Sequence, residues 1–404
     1  MIKFQRFLGL VICSLAFGAL ALPHLFANSS DTNGHAQQPA KAWTAKMISS
    51  GHNFPTVDIN RDGLIDLAGE LHERISLKTI RDRHSWSDAD LSSRIERLRN
   101  AGLVKESPKG YFLPTFMVIS TDDAARHLPV SQDLVRKACD LIVRHLSLIR
   151  EEAKQIPGLQ ERSYDSYSFL VLSDALLDNW QIQEVEKSLL GNERPLRDGN
   201  RYYFAVMEVA PHQTKEAFGL YGNGGSVQSG KEIDVYGNDR YSGHTLVSAS
   251  DANLRDWFPS LPSPDDRAFW PAMVGRITAI NPDRPEVPAD LRTGMEKLHL
   301  IDRGGFNFLV LPRDSTNRLY DLAKIIAPDL VALLRAQEPA LQAAYAASPY
   351  EDETTFNEYF IWWYHFFYTR VTNQLAADGL LRIPMSGNVT YFVVDGDAQK
   401  TVSH

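Results

Sequence analysis

The spacing of apolar residues changes between Leu67 and Phe116 from a helical to an alternating pattern. Apolar residues first recur every three or four positions, which predicts three consecutive amphipathic helices. Their apolar faces are Leu67, Leu71 and Ile75, then Leu77 and Ile80, then Leu91, Ile95 and Leu98. Gly102 ends the third helix, and Pro108-Lys109-Gly110 predicts the turn of a hairpin. The predicted order is helix, helix, helix, hairpin.

The following segment, up to about residue 190, has the apolar spacing of two longer helices. The first starts at Ser131 and is stopped by Ile156-Pro157-Gly158. The second runs from about Tyr167 to Leu190. His145 lies on the apolar face of the first helix, so we expect a packed histidine there rather than a metal ligand.

The middle region, residues 197–313, changes to short β-like runs among glycines. Residues 202–209 predict a strand because they are aromatic and β-branched, and residues 217–221 predict a second strand. A Tyr-Gly-Asn signature occurs at residues 221–223 and again at 236–238, each time after an alternating stretch. Antiparallel hairpins explain this pattern.

The C-terminal region returns to helical spacing after an apolar strand at residues 306–311. One helical stretch runs from Asn317 to near Ala347, and a very aromatic helix follows. Its buried face is predicted to be Phe360, Trp363, Tyr364, Phe367, Val371 and Leu375. Residues 383–394 predict a hairpin that turns at Ser386-Gly387-Asn388. The fold class is therefore α+β, with helical segments on both sides of a central antiparallel β-rich region.

The helix-then-hairpin pattern resembles the winged-helix fold of MarR-type regulators. In that resemblance the stretch RIERLRNAGLVKE, residues 94–106, supplies the recognition helix and the start of the wing. The C-terminal aromatic helix and its predicted hairpin form a second winged-helix-like unit. The resemblance implies either DNA binding or contacts with protein partners, because a fold alone does not give a function.

The N-terminus predicts the compartment in which the protein acts. Lys3 and Arg6 precede an uncharged run from Phe7 to Ala21, as in a secretory signal peptide. Pro23, His24 and the small residue Ala27 follow, so cleavage is expected after Ala21 or Ala27. An uncleaved anchor is the alternative, since Phe7 to Ala27 is just long enough to span a bilayer. Either way the body of the protein is expected outside the cytoplasm, periplasmic or secreted. We expect no membrane span after cleavage of the signal.

The charge of the chain argues against nucleic acid as a partner. The formal net charge is −8 at pH 7, which repels phosphate. Of the two cysteines, Cys13 lies in the predicted signal and only Cys139 would remain. The mature chain could then form no internal disulfide, so its stability must come from its core.

A run of oxygen-bearing residues at alternate positions, Asp58-Ile-Asn-Arg-Asp-Gly-Leu-Ile-Asp66, is the most specific motif in the chain. It resembles the calcium loop of EF-hands and, more closely, of dockerins. The resemblance implies a structural Ca²⁺ bound by Asp58, Asn60, Asp62, the Leu64 carbonyl and Asp66, with Glu70 as a further candidate ligand. Gly69 stands at the twelfth position, where the pattern has an acid, and Glu70 follows one residue later. The alternative is an Asp/Asn/Gly turn whose carboxylates cap backbone amides.

These patterns divide the chain into six segments. They are a signal peptide (1–27), a flexible tether (28–52), a calcium loop with a winged-helix-like unit (53–130), a helical segment (131–196), a β-rich middle domain (197–313), and a helical segment with a second winged-helix-like unit (314–404).

Candidate chemistry in the middle domain comes from residue types rather than from a motif. Glu208, Glu216 and His244 could supply carboxylate or imidazole groups to a hydrolase, if they converge. Tyr221, Tyr236 and Tyr241 could line a concave binding face. No nucleophile elbow, nucleotide-binding loop, Cys-x-x-Cys or His-Glu-x-x-His pattern is present in the sequence.

Three classes of function remain. The first is an extracytoplasmic, calcium-stabilised binding or assembly protein that contacts a polypeptide or a glycan. The second is a secreted hydrolase with a carboxylate or histidine site in the middle domain. The third is a sensor that uses winged-helix units for protein contacts. Convergence of Glu208, Glu216, Asp234 and His244 in one pocket would favour the enzyme.

Overall fold

The computed structural model describes residues 41–50, 53–191, 193–210, 217–238, 245–246, 248–280, 286–302 and 305–395. Helices and strands are mixed along the chain, so the predicted α+β class is confirmed. None of the helices in these ranges is both long enough and apolar enough to span a bilayer.

The three-helix unit, residues 58–114, has the predicted order of elements. It contains α1 (Leu64–His72), α2 (Leu77–His84), α3 (Asp88–Asn100), β2 (Val104–Glu106) and β3 (Phe112–Pro114). Ser76 and Ser87 cap α2 and α3, and Ser87 forms a capping box with Asp90. The strands β2 and β3 pair as an antiparallel hairpin. Local signals suffice here because each helix has its own apolar face, and α2 and α3 have side-chain caps.

A three-stranded sheet lies against this unit. It consists of β1 (Trp43–Ile48), β4 (Met117–Ile119) and β7 (Tyr203–Glu208), in the order β1-β7-β4. β7 is antiparallel to β1 and parallel to β4. β1 falls in the segment predicted as a tether, so that prediction is wrong for residues 43–48. The mistake arose because strand β1 is stabilised by a partner some 160 positions away in sequence, and not by any local signal.

The central helical layer covers the other face of this sheet. Its first part is α4 (Thr121–His127), α5 (Gln132–Lys154), α6 (Tyr164–Phe169), a π-helix (Leu170–Asp178), α7 (Asn179–Val185) and a second π-helix (Glu186–Leu190). Ser131 caps α5, as its spacing predicted. A short hairpin of β5 (Leu196–Arg197) and β6 (Asn200–Arg201) then leads into β7.

A four-stranded sheet lies on the far side of the helical layer. Its strands are β8 (Gly222–Gln228), β9 (Lys231–Gly237), β12 (Phe308–Pro312) and β13 (Asn388–Val394), in the order β12-β13-β9-β8. β12 and β13 are parallel, and the other pairs are antiparallel. The predicted strand at 217–221 is wrong, because the strand starts at Gly222. The predicted hairpin at 383–394 is also wrong, because only β13 forms there and it pairs with distant strands on both sides.

Three helices cover the outer face of this sheet. They are α8 (Asp251–Trp257), α9 (Phe269–Thr278) and α10 (Ala289–Lys297), followed by the small strands β10 (Ile301–Asp302) and β11 (Gly305–Phe306). They pack on Ile233, Phe308 and Phe392, which point outward from the sheet. The segment predicted as a β-rich middle domain therefore contains three helices, and its strands belong to two different sheets.

The C-terminal helices complete the central layer. They are α11 (Arg313–Asp321), a 3-10 helix (Leu322–Ile325), α12 (Ala327–Arg335), α13 (Glu338–Ala346), α14 (Tyr350–Glu353) and α15 (Phe356–Ala377). α15 is apolar on nearly all sides and is buried from Glu358 to Thr369. The fold is thus a sequence of five layers: the three-helix unit, a sheet, the central helices, a second sheet, and the outer helices.

Candidate functional site

The predicted calcium loop forms a tight turn at the start of α1. Asp62 and Gly63 both have left-handed backbone conformations, with φ of 56° and 71°. A Cβ atom on Gly63 would lie 2.8 Å from the indole ring of Trp86. Two features therefore favour glycine at position 63: its left-handed backbone conformation and the close approach of the Trp86 ring.

Arginines, rather than other acids, contact the loop oxygens. Arg97 Nη1 donates to Asp62 Oδ2 at 2.8 Å, and Arg94 Nε donates to the Asp62 carbonyl at 2.8 Å. The hydrogen bond from Arg97 holds the pKa of Asp62 below its usual value. Asp58 accepts from Arg61 Nε at 3.0 Å and from the Asn60 amide at 3.1 Å. The arginines therefore supply positive charge where a cation would supply it.

The last predicted ligand, Glu70, contacts α2 rather than the turn. Glu70 is buried and accepts from Arg83 Nη1 at 2.5 Å, and it lies 2.8 Å from His84 Nε2. Burial raises the pKa of Asp66. Leu64 has a fully buried side chain in the first turn of α1. Across the described ranges, no group of three or more His, Cys, Asp or Glu has the arrangement of a metal site.

The predicted middle-domain acids do not meet in the part of the chain that is described. Glu208 ends β7, and its Oε2 accepts from the Thr121 amide at 2.7 Å, at the start of α4. Asp234 lies on β9 in the other sheet. Glu216, His244 and Tyr241 lie outside the described residues.

The two described tyrosines of the predicted binding face are core residues. Tyr221 and Tyr236 are buried, with hydroxyls 2.7 Å from Asn373 Oδ1 and 2.5 Å from Ser173 Oγ. They do not line an exposed concave face. The aromatic content of the segment was a sign of burial between two layers, as it is for most tyrosines packed under a sheet.

An unpredicted cluster of acids lies between the π-helix and the four-stranded sheet. This aspartate cluster consists of Asp174 and Asp178 on the π-helix and Asp234 on β9. Asn223 Nδ2 donates to both Asp174 carboxylate oxygens, at 3.2 and 3.3 Å, and to the Tyr391 hydroxyl at 2.9 Å. π-Helical segments occur frequently at functional sites.

The aspartate cluster is strongly desolvated. Burial raises the pKa of Asp178 and of Asp234 to about 8, and that of Asp174 well above its usual value. Within the described residues, Asp178 Oδ2 and both amide atoms of Gln181 have no hydrogen-bond partner. The sequence did contain a signal: two aspartates four positions apart inside an otherwise apolar helix. Sequence analysis singled out neither Asp174 nor Asp178 and therefore missed the cluster.

A second charged cluster joins the three-helix unit to the C-terminal helices. His72 Nδ1 lies 2.8 Å from Glu353 Oε2, and His72 Nε2 lies 3.3 Å from Asp123 Oδ2. Burial opposes protonation of His72, but hydrogen bonds to the two carboxylates raise its pKa to about 9. Arg74 lies 3.2 Å from the same glutamate. We call this arrangement the His72 clamp.

A surface groove of 460 Å³ lies between α2, α3 and β3. Its apolar lining is Leu77, Leu91, Ile95 and Phe112. Its polar lining is Lys78, Arg81, Asp88, Ser92, Glu96 and Arg99. Its volume lies within the range of about 300–1,000 Å³ that ligand-binding pockets have.

Comparisons with protein-family models, with curated proteins and with solved structures find no match for this chain. The function must therefore be argued from the residues and their geometry.

Proposed function

We propose that the protein is an extracytoplasmic binding or assembly protein that holds a segment of a partner polypeptide in the groove of the three-helix unit. The observation that carries the proposal is the groove itself, with its apolar floor and charged rim. Leu77, on its edge, is 38% exposed and can contact a partner.

A polypeptide fits the groove better than a glycan or a nucleic acid does. Four apolar side chains suit the apolar anchors of a peptide. Nucleic acid would need free cations, yet the α3 arginines are engaged within the protein. Arg94 and Arg97 contact Asp62, and Arg99 pairs with Glu96.

Export and calcium binding belong to the same proposal. A signal peptide at residues 1–27 would place the groove outside the cytoplasm. A Ca²⁺ ion bound by Asp58, Asn60, Asp62, the Leu64 carbonyl and Asp66 would fix the loop itself, in competition with Arg97 of α3, which forms one wall of the groove. The role of calcium in this proposal is structural.

A displayed peptide library tests the proposal. The protein, purified from cells that express the full chain, should enrich a family of related peptides, and Leu77→Asp should abolish that enrichment. Leu77 is the first residue of α2, where an aspartate is favourable, so the variant is expected to fold. Leu148→Asp is the matched control, because Leu148 is an exposed helical leucine away from the groove. Equal enrichment by parent and Leu77→Asp would reject the groove as the site.

The aspartate cluster supports a second candidate function, a hydrolase. A carboxyl group that stays protonated near neutral pH can act as a general acid. The raised pKa of Asp234 and its partial exposure favour this role. Hydrolysis of a panel of chromogenic glycosides that is lost in both Asp174→Asn and Asp234→Asn would support it. Hydrolysis that both variants retain would exclude these residues.

A further inference from the structure

We infer that the partner segment is an acidic amphipathic helix, with an apolar anchor in the groove and a carboxylate about one helical turn away. This inference rests on the proposed function and adds the chemistry of the partner to it. Three features of the groove support it: its charge, its apolar edge and its helical walls.

The charges that line the groove favour a negative partner. They are Lys78, Arg81 and Arg99 against Asp88 and Glu96, which leaves one positive charge in excess. Arg81 Nη1 lies 2.8 Å from Asp88 Oδ1 and Arg81 Nη2 lies 2.8 Å from Asp82 Oδ1, and Arg99 pairs with Glu96. Lys78 has no ion-pair partner among the described residues. The positive charge available to a partner is thus that of Lys78, on a chain with a net charge of −8.

The ion pairs at the rim can exchange partners. Asp88 is 85% exposed and the Arg81 side chain 31% exposed, so water already screens their attraction. A carboxylate of the partner can therefore replace Asp88 at Arg81 Nη1 while Asp82 keeps its contacts with Nε and Nη2. Lys78 needs no exchange at all. Charge complementarity of this kind chiefly determines which partner binds and how fast.

The apolar part of the groove provides an anchor site. Leu77 forms the exposed edge, Phe112 is half-buried, and Leu91 and Ile95 form the floor at 6% and 7% exposure. Leu77 and Lys78 are adjacent at the start of α2. A partner that fills the apolar site therefore brings its next helical turn close to the ammonium of Lys78.

The walls of the groove favour a helix over an extended strand. α2 and α3 form its two long sides, and the 13 residues of α3 span about 20 Å at about 1.5 Å per residue. β3 has only three residues and ends in Pro114, which cannot donate a ladder hydrogen bond. Side-chain anchoring by a helix, rather than addition of a strand, is the mode available here.

Three designed helical peptides of equal length and leucine content test the inference. They carry Glu, Gln or Lys on the polar face, and fluorescence anisotropy measures their binding to the protein purified from cells that express the full chain. We expect the Glu peptide to bind about tenfold more tightly than the Gln peptide, and the Lys peptide most weakly. Lys78→Gln should reduce the preference for Glu severalfold, whereas the matched control Lys187→Gln, on the second π-helix, should leave it unchanged.

The outcomes separate the inference from the proposed function. Equal or tighter binding of the Gln or Lys peptide, abolished by Leu77→Asp, would overturn the acidic partner and retain the groove. Binding of no peptide, or binding that Leu77→Asp leaves unchanged, would overturn both. Displacement of the Glu peptide by duplex DNA at physiological ionic strength would also overturn the inference, because the groove would then be a polyanion site.

Discussion

Arg97 places a guanidinium nitrogen 2.8 Å from the carboxylate of Asp62, the third side-chain ligand of the predicted calcium loop. The loop and α3 are thereby joined across 35 positions of sequence. Arg94 reinforces this contact, since it binds the Asp62 carbonyl and stacks 4.3 Å above the ring of Trp86. Any cation that binds Asp62 must therefore compete with Arg97.

The first prediction is that calcium stabilises the fold and that Arg97 weakens its binding. A ligand bound only to the native state stabilises it by about 2.7 kcal/mol at a hundredfold excess over its dissociation constant. The melting temperature should rise with Ca²⁺ and fall again on chelation. Arg97→Gln should increase the affinity for Ca²⁺ about two- to fivefold, because an exposed ion pair is a weak competitor.

Calorimetric titration measures this affinity. Arg99→Gln is the control, because Arg99 pairs with Glu96 rather than with the loop. Asp62→Ala should lose the calcium response. If Asp62→Ala responds to calcium as the parent does, the loop is only a turn.

The second prediction is that the three-helix unit does not bind duplex DNA. DNA affinity comes from the release of counterions by free cationic side chains and weakens steeply with salt. Arg94, Arg97 and Arg99 are all engaged by groups of the protein itself. Electrophoretic mobility shift at physiological ionic strength should show no complex. Salt-sensitive retention of DNA that is lost when the three arginines are replaced would contradict this prediction.

The third prediction concerns the pH dependence that the His72 clamp gives to stability. The pKa of His72 is about 9 when folded, against about 6.5 when unfolded. Its contribution is therefore fully present below pH 6.5 and is lost as the pH rises to 9. The contribution of Asp123 to stability has the opposite pH dependence. Burial opposes ionisation of the Asp123 carboxyl group, but the hydrogen bond from His72 lowers the pKa of Asp123 to about 2. Its contribution is present above its unfolded pKa and is lost as the pH falls towards 2.

Urea unfolding at pH 6 and pH 9 measures the effect of His72. The parent should lose on the order of 2–3 kcal/mol between these values, and His72→Gln should lose much less. His145→Gln is the control, because His145 is half-buried and lies 3.7 Å from the exposed Asp329. Equal pH dependence in the parent and His72→Gln would mean that the clamp contributes nothing.

The fourth prediction is that Asp178→Asn stabilises the protein at alkaline pH. Burial raises the pKa of Asp178 to about 8, so its stability contribution is fully present below its unfolded pKa and is lost as the pH rises through 8. Asparagine keeps polar atoms at this position but carries no charge. We expect the free energy of unfolding at pH 8.5 to increase by roughly 1–3 kcal/mol.

Denaturant unfolding measures the free energy of unfolding of Asp178→Asn. Asp140→Asn is the control, because it changes an exposed aspartate on α5. The control should change little. A loss of stability in Asp178→Asn at pH 8.5 would show that the ionised carboxylate is the stabilising form, which would contradict the prediction.

Predictions from the sequence succeeded where the structure depends on neighbours along the chain. The helices of the three-helix unit and α5 follow from caps and apolar spacing, as Ser87 and Ser131 illustrate. The strands were harder to predict, because their pairing partners are distant in the sequence. β13 is fully buried between β9 and β12, so its continuous apolar pattern carried no information about the pairing.

The candidate sites also divide into those formed by one continuous stretch of sequence and those formed by distant segments. The Asp58–Asp66 motif and the residues of α2 and α3 were visible in the sequence, because each occupies one continuous stretch. The sequence did not indicate that Arg97 reaches Asp62, that Asp123 and Glu353 meet at His72, or that Asp234 lies near Asp174. Spacing and capping describe local backbone geometry, and they alone determined the helical elements. Only the packing of layers decided which side chains from distant segments became neighbours, because burial and pairing depend on the whole chain.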